Sequence, residues 1–151
     1  MTMKYFLMST LFNKHTANDF GLIEKDGRFF RESDNSEWIR CNLYDKGWGY
    51  EDGFYRLPLG DFYELINIVL TGEQEDSLGA AAIIMDRYND ELKSFLIELM
   101  DKNPSNKSKK LLFDTFKLKW GTNRTAKNGM YIQEILKEAC DWEKIKEFYS
   151  K

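Results

Sequence analysis

Apolar and polar positions change rhythm once along this chain, close to Gly60. Before it, apolar residues come in short runs or alternate with polar ones, which is the two-residue period of strands. Tyr5-Phe6-Leu7-Met8 is an apolar run suited to a buried strand. Phe20 to Lys25 and Arg28 to Arg31 flank Asp26-Gly27. An Asp-Gly pair between two such segments predicts a hairpin, because a type I′ turn needs positive φ at both central positions. Residues 37–43 and 54–57 predict two more strands. Pro58 stops the last of them, since it has no amide hydrogen to donate to a ladder.

From Asp61 the period becomes helical. Asp61 and Glu64 resemble a capping box, and Phe62, Leu65, Ile66, Val69 and Leu70 follow at i, i+3, i+4, i+7 and i+8. Thr71-Gly72 supplies the stop. Leu78, Ala81, Ala82 and Met85 form a second stripe, and the run Gly79 to Ala82 is small enough for a neighbouring helix to approach closely. Asn89 or Asp90 caps a third helix bearing Leu92, Phe95, Leu96, Leu99 and Met100, ended by Asn103-Pro104. A fourth helix is expected from about Lys107 to Trp120, broken at Gly121. Tyr131, Ile132, Ile135, Leu136 and Ala139 mark a fifth, and Asp141 caps a short sixth carrying Trp142, Ile145, Phe148 and Tyr149.

The expected fold is therefore α+β. A small N-terminal antiparallel sheet (1–60, mainly strands and turns) packs with a C-terminal layer of five to six helices (61–151) in a single domain, 1–151. The helices follow one another with short connections, yet make only about two pairs, below the roughly three repeats of a free-standing solenoid.

Composition narrows the class. The 151 residues include 42% apolar and 15% aromatic side chains, too many for a disordered chain. No apolar run approaches the ~20 residues that cross a bilayer. The first residues hold one lysine and no long apolar stretch, so no secretion signal is expected. Cys41 and Cys140 then read as buried, inert thiols of a reducing, cytoplasmic compartment. One histidine and two distant cysteines leave no ordinary zinc arrangement, so no metal is expected.

Catalytic patterns are missing as well. His15 lies in a polar loop-like stretch with Asp19 four residues on, and no activated nucleophile is near it in sequence. Gly47 to Gly53 is glycine-rich but has no Walker lysine and no following helix, and Glu51 and Asp52 would repel phosphate. The same acids lack EF-hand spacing. The expectation is a protein that is not an enzyme and uses no cofactor.

Two features point to binding instead. Tyr44, Trp48, Tyr50, Phe54 and Tyr55 fall within twelve residues, interleaved with Asp45, Glu51 and Asp52. Aromatics on an acidic connection between strands suit an interface, although alternate ones can also fill a core. Charge is also segregated: residues 61–103 hold ten acids against three bases, a local −7, and residues 104–128 hold seven bases against one acid, a local +6. These fields either pair within the fold or leave an acidic face for a basic partner. Trp48 and Tyr50 are the anchor candidates, with Glu51, Asp52, Glu73, Glu75 and Asp76 as the rim. The alternative is nucleic-acid binding by Lys107, Lys109, Lys110, Lys117 and Arg124 in the Lys-rich segment 107–127. The net charge of −3 and the lack of a helix-turn-helix or RNP-type pattern argue against it. An enzyme of unrecognised chemistry is the third reading.

The aromatic-rich sheet half is followed by Asp61-Phe62-Tyr63-Glu64-Leu65-Ile66, then Leu78 to Met85, then Leu92-Lys93-Ser94-Phe95-Leu96. With Asp141-Trp142-Glu143-Lys144-Ile145 near the end, this order resembles small bacterial immunity proteins of polymorphic-toxin systems. The resemblance covers about the last 90 residues. It implies an intracellular, non-enzymatic protein that binds and neutralises a cognate toxin domain. The length and the single change of pattern lead instead to the expectation of a monomer or weak homodimer.

Overall fold

A computed structural model describes residues 5–8, 17–45, 50–120 and 123–151. The α+β expectation holds: among the described residues, a five-stranded antiparallel sheet is followed by five helices. The chain divides into two compact units, Met1–Ile83 and Ile84–Lys151. The change of rhythm near Gly60 falls inside the first of them.

The sheet consists of β1 (Phe6–Met8), β2 (Leu22–Lys25), β3 (Arg28–Arg31), β4 (Ser36–Asp45) and β5 (Tyr50–Arg56), in the order β1-β5-β4-β3-β2. Asp26 (φ 54°) and Gly27 (φ 80°) make the β2–β3 turn between paired Lys25 and Arg28, as the Asp-Gly dipeptide predicts. Opposed residues of an antiparallel pair share a face. Leu7 opposite Phe54, and Phe29 opposite Trp38, therefore lie on one face, where they cluster with Leu22. Phe6 opposite Tyr55 lies on the other, and both side chains are buried.

Two helices complete this unit's buried set. In α1 (Phe62–Thr71), Asp61 caps the first turn by accepting the Glu64 N–H at 2.9 Å, and Phe62, Leu65, Ile66 and Val69 are buried at the predicted spacing, whereas Leu70, the last of the expected stripe, is exposed. Ser77 of α2 (Gln74–Arg87) donates its hydroxyl to Val69 O at 2.8 Å and so ties the two helices. Within the small run of α2, Gly79 meets a strand: the Phe6 ring lies against it, and a Cβ there would come within 2.8 Å of Phe6 Cβ.

The second unit contains α3 (Asn89–Met100), α4 (Asn106–Thr115) and α5 (Ile132–Tyr149), with α3 and α4 both packed on α5. Four boundaries differ from the sequence reading. Tyr88 occupies the start of α3 without a side-chain cap, and Asn89 lies in the helix and donates its amide back to Met85 O at 2.7 Å. α4 begins earlier, capped by Ser105, which accepts the Ser108 N–H at 3.2 Å. It also ends earlier, because Lys117 takes a positive φ of 55° before a 3-10 turn at Leu118–Trp120. The expected fifth and sixth helices are one: α5 runs unbroken for 18 residues, and Asp141 binds cations instead of capping. Cys140, expected to be buried, is exposed on α5. No described helix is long and apolar enough to cross a membrane.

Candidate functional site

The described parts of the aromatic segment, 44–45 and 50–55, lie in strands. β4 runs for ten residues and β5 for seven, whereas β1 and β3 have three and four. Among the described residues, β1 reaches Gly53 of β5 and β3 reaches Trp38 of β4, and the β4–β5 ladder continues past both. Its register sets Asn42 opposite Asp52, Tyr44 opposite Glu51 and Asp45 opposite Tyr50, with an irregularity between Asn42 and Tyr44. Such a bulge increases local twist and re-aims the strand that carries it. Aromatic and acidic residues therefore alternate across the two strands of one arm. Phe54 and Tyr55, at its base, are core residues on opposite faces of the sheet.

The anchor and rim candidates fall in different environments. Tyr50, Glu51 and Asp52 share the arm, whereas Trp48 and the loop histidine His15 lie outside the described residues. Glu73 is exposed ahead of α2, and its carbonyl accepts the Ser77 N–H at 2.8 Å. Glu75 is half-buried in the first turn of α2. Asp76 is not a rim residue: it is 3% exposed, and its Oδ1 accepts the backbone N–H groups of Tyr5 (3.1 Å) and Phe6 (3.0 Å). A short acidic side chain at the start of a helix finds strand amides there, and that hydrogen bonding brings it inside.

Beside the base of the arm lies a basic, aromatic node that no sequence pattern announces. Trp38 is fully buried, with the guanidinium of Arg31 5.1 Å and that of Arg56 5.8 Å from its ring centre. Its indole N–H donates to Ser36 Oγ at 2.7 Å. Asp34 accepts from the Ser36 amide and hydroxyl and pairs with Arg56 at 3.3 Å. The Ser36 hydrogen bonds hold the Asp34 carboxyl below the ordinary carboxylate range, with Arg56 adding to the effect. Arg31 also donates to Phe20 O at 3.1 Å. Cation–π contact and hydrogen bonding thus fix the β3–β4 turn in place.

In the second unit, a charged cluster ties α3 to α5. Lys93 pairs with Glu138 and, at 2.9 Å, with Asp141; Thr125 donates to Glu138 and accepts the Trp142 indole N–H at 3.0 Å. Burial pulls the Lys93 ammonium pKa down, but hydrogen bonds to both carboxylates outweigh it and leave the pKa raised. A lysine that keeps its proton is an ion-pair tie and not a nucleophile.

The segregated charges partly meet inside this unit. Lys127 of the basic segment pairs with Asp90 of the acidic one at 2.7 Å. Arg124 is packed 5.4 Å from the Trp142 ring centre and donates to Phe116 O and Lys117 O, and Lys109 lies 4.4 Å from the ring centre of Phe148. Two members of the expected nucleic-acid-binding set, Lys109 and Arg124, are thereby engaged within the protein.

One surface feature escaped the sequence reading. All seven residues from Tyr131 to Lys137 are exposed, including Tyr131 (74%), Ile132 (75%), Ile135 (36%) and Leu136 (62%). The buried face of α5, with Trp142, Ile145 and Tyr149, begins further along. The usable signal was the spacing, since Ile132 and Leu136 are out of phase with Trp142 and Tyr149 at 100° per residue. Among the described residues, no group of three or more His, Cys, Asp or Glu is arranged to hold a metal. No family model, no curated protein and no solved structure matches this chain.

Proposed function

We propose that the protein acts by binding another protein, with the β4–β5 arm at the centre of contact. The observation that carries this reading is the register of the arm, which alternates Tyr44 with Glu51 and Asp45 with Tyr50 on a ribbon longer than its neighbouring strands. A few aromatic anchors surrounded by charge are what a compact protein interface needs. Trp48, which lies outside the described residues, is the further anchor candidate, and Glu51, Asp52, Glu73 and Glu75 supply negative charge in the same unit. Asp76 is withdrawn from the rim because its carboxylate is occupied.

The partner class follows from the resemblance to immunity proteins: a toxin domain with a basic contact surface, bound in the cytoplasm without catalysis. The test is a pull-down of the purified chain with the C-terminal domain of a toxin encoded immediately upstream of its gene, at two salt concentrations. Binding that weakens as salt rises and drops by at least about 30-fold in Trp48→Ala, the size of a hot-spot loss, supports the reading. Binding to random duplex DNA with a steep salt slope, and none to the neighbouring protein, overturns it in favour of the Lys-rich segment.

A further inference from the structure

Tyr131, just ahead of α5, and Ile132, Ile135 and Leu136 in its first two turns leave a large apolar stripe in water. Isolated exposed hydrophobic residues are ordinary, but four large ones within six residues at the start of one helix mark an interaction surface. We propose that this stripe is a self-association surface, covered by the same stripe of a second copy in an antiparallel two-fold pair. The proposal is independent of the arm and of its partner.

Helix geometry argues for a second copy. With 100° and 1.5 Å per residue, positions i, i+1, i+4 and i+5 are symmetric about their midpoint, here between Gln133 and Glu134. A two-fold axis through that point, perpendicular to the helix, sets Tyr131 against Leu136 of the second copy and Ile132 against its Ile135. Every apolar member of the set then meets another member, as an isologous interface requires. Gln133, Glu134 and Lys137 fall on the opposite side of the helix, so the pairing buries no charge.

The area agrees. A full side chain of this size exposes on the order of 200 Å², so the four leave about 500 Å² of apolar surface per copy. A standard interface covers about 800 Å² per partner, and homodimer interfaces are about 65% apolar. The four side chains match that apolar share. Exposed residues close to the stripe in sequence, Asn128 and Gly129 before the helix and Cys140 along it, are available for part of the rest.

The test uses the full chain in sedimentation equilibrium from low micromolar to about 200 μM, the range in which a weak dimer forms. The expected result is a reversible dimer. Ile132→Glu and Leu136→Glu should each raise its dissociation constant by about 100-fold or more, with the melting temperature of the dilute monomer unchanged because both positions are exposed. As a geometric check, Ile132→Cys with Ile135→Cys, in a chain with Cys41→Ser and Cys140→Ser, should oxidise to a covalent dimer. Gln133→Cys in the same background should not. A wild-type chain that stays monomeric throughout overturns the proposal and assigns the stripe a different occupant. A dimer that both Glu variants leave intact, or one that Gln133→Cys cross-links equally well, overturns it too.

Discussion

Asp76 Oδ1 accepts the backbone N–H of Phe6 at 3.0 Å, and three residues along the same helix Gly79 lies against the Phe6 ring. One residue of a three-residue edge strand is therefore held twice by α2, through its amide and through its side chain. A strand this short makes few ladder bonds of its own, so its place in the sheet depends on those contacts. Asp76→Ala should lower stability by about 1–3 kcal/mol, because the buried Phe6 amide and the part-buried Tyr5 amide lose a charged acceptor. Gly79→Ala should cost a similar amount, about 1–3 kcal/mol, since the added methyl meets the fixed base of the Phe6 side chain. Urea titration of both variants checks this. A change below experimental error in either would mean that β1 is held by other contacts.

At the β2–β3 turn, Gly27 has φ 80° with nothing within 4 Å of where a Cβ would sit. Space is not the constraint there; backbone conformation is. Gly27→Ala should destabilise by about 1 kcal/mol through the left-handed region alone. Gly27→Asn, which tolerates that region, should recover part of the loss in a thermal melt.

These positions show which parts of the fold were legible. The Asp-Gly turn, the Asp61 cap and the apolar stripe of α1 follow local rules, and each appears where its rule puts it. The ends of α4 and α5 do not, because tertiary contacts decided them. Asp141 has the residue type of a cap, but Lys93 and Lys137 occupy its carboxylate and the helix continues through it. The glycine at 79 signalled a close approach without naming the neighbour, which is a ring on a strand 73 positions earlier. The arm was legible in composition and not in form, since pattern alone does not tell how far two strands stay paired. The exposed stripe on α5 was hidden by the one-way rule that apolar periodicity means burial.

Within the second unit, Thr125 is 3% exposed and connects Trp142 to Glu138 by accepting the indole N–H and donating its own hydroxyl. Thr125→Val keeps the shape and removes both bonds, leaving the indole N–H of a buried tryptophan without its acceptor. The expected loss is about 1–3 kcal/mol. Tyr149→Phe removes the 2.6 Å hydrogen bond to Leu96 O but leaves no buried donor unpaired, so its cost should be smaller, about 1 kcal/mol. Guanidinium titrations of the two variants should rank them in that order. The reverse order would show that the Thr125 network contributes little.

The Lys93 cluster gives the stability a defined pH window. The Lys93 hydrogen bond lowers the Glu138 pKa, helped by Thr125, and the Lys93 hydrogen bond against opposing burial lowers that of Asp141. A depressed carboxylate contributes stability that is present above its unfolded value, about 4, and is lost as pH falls through the folded one. Lys93 has a raised pKa, so its contribution is present below its unfolded value, about 10.4, and is lost as pH rises through the folded one. The cluster should therefore support a plateau between roughly pH 5 and 10, with stability falling on both sides. Lys93→Met removes the cation from between two carboxylates that are about one-fifth exposed. Without it, Glu138 and Asp141 repel each other when ionised, so the variant should lose stability near neutral pH and recover part of the loss on mild acidification. Melting temperatures of both proteins from about pH 3 to 11 decide the matter. Parallel curves for wild type and Lys93→Met would show that these ion pairs do not set the window.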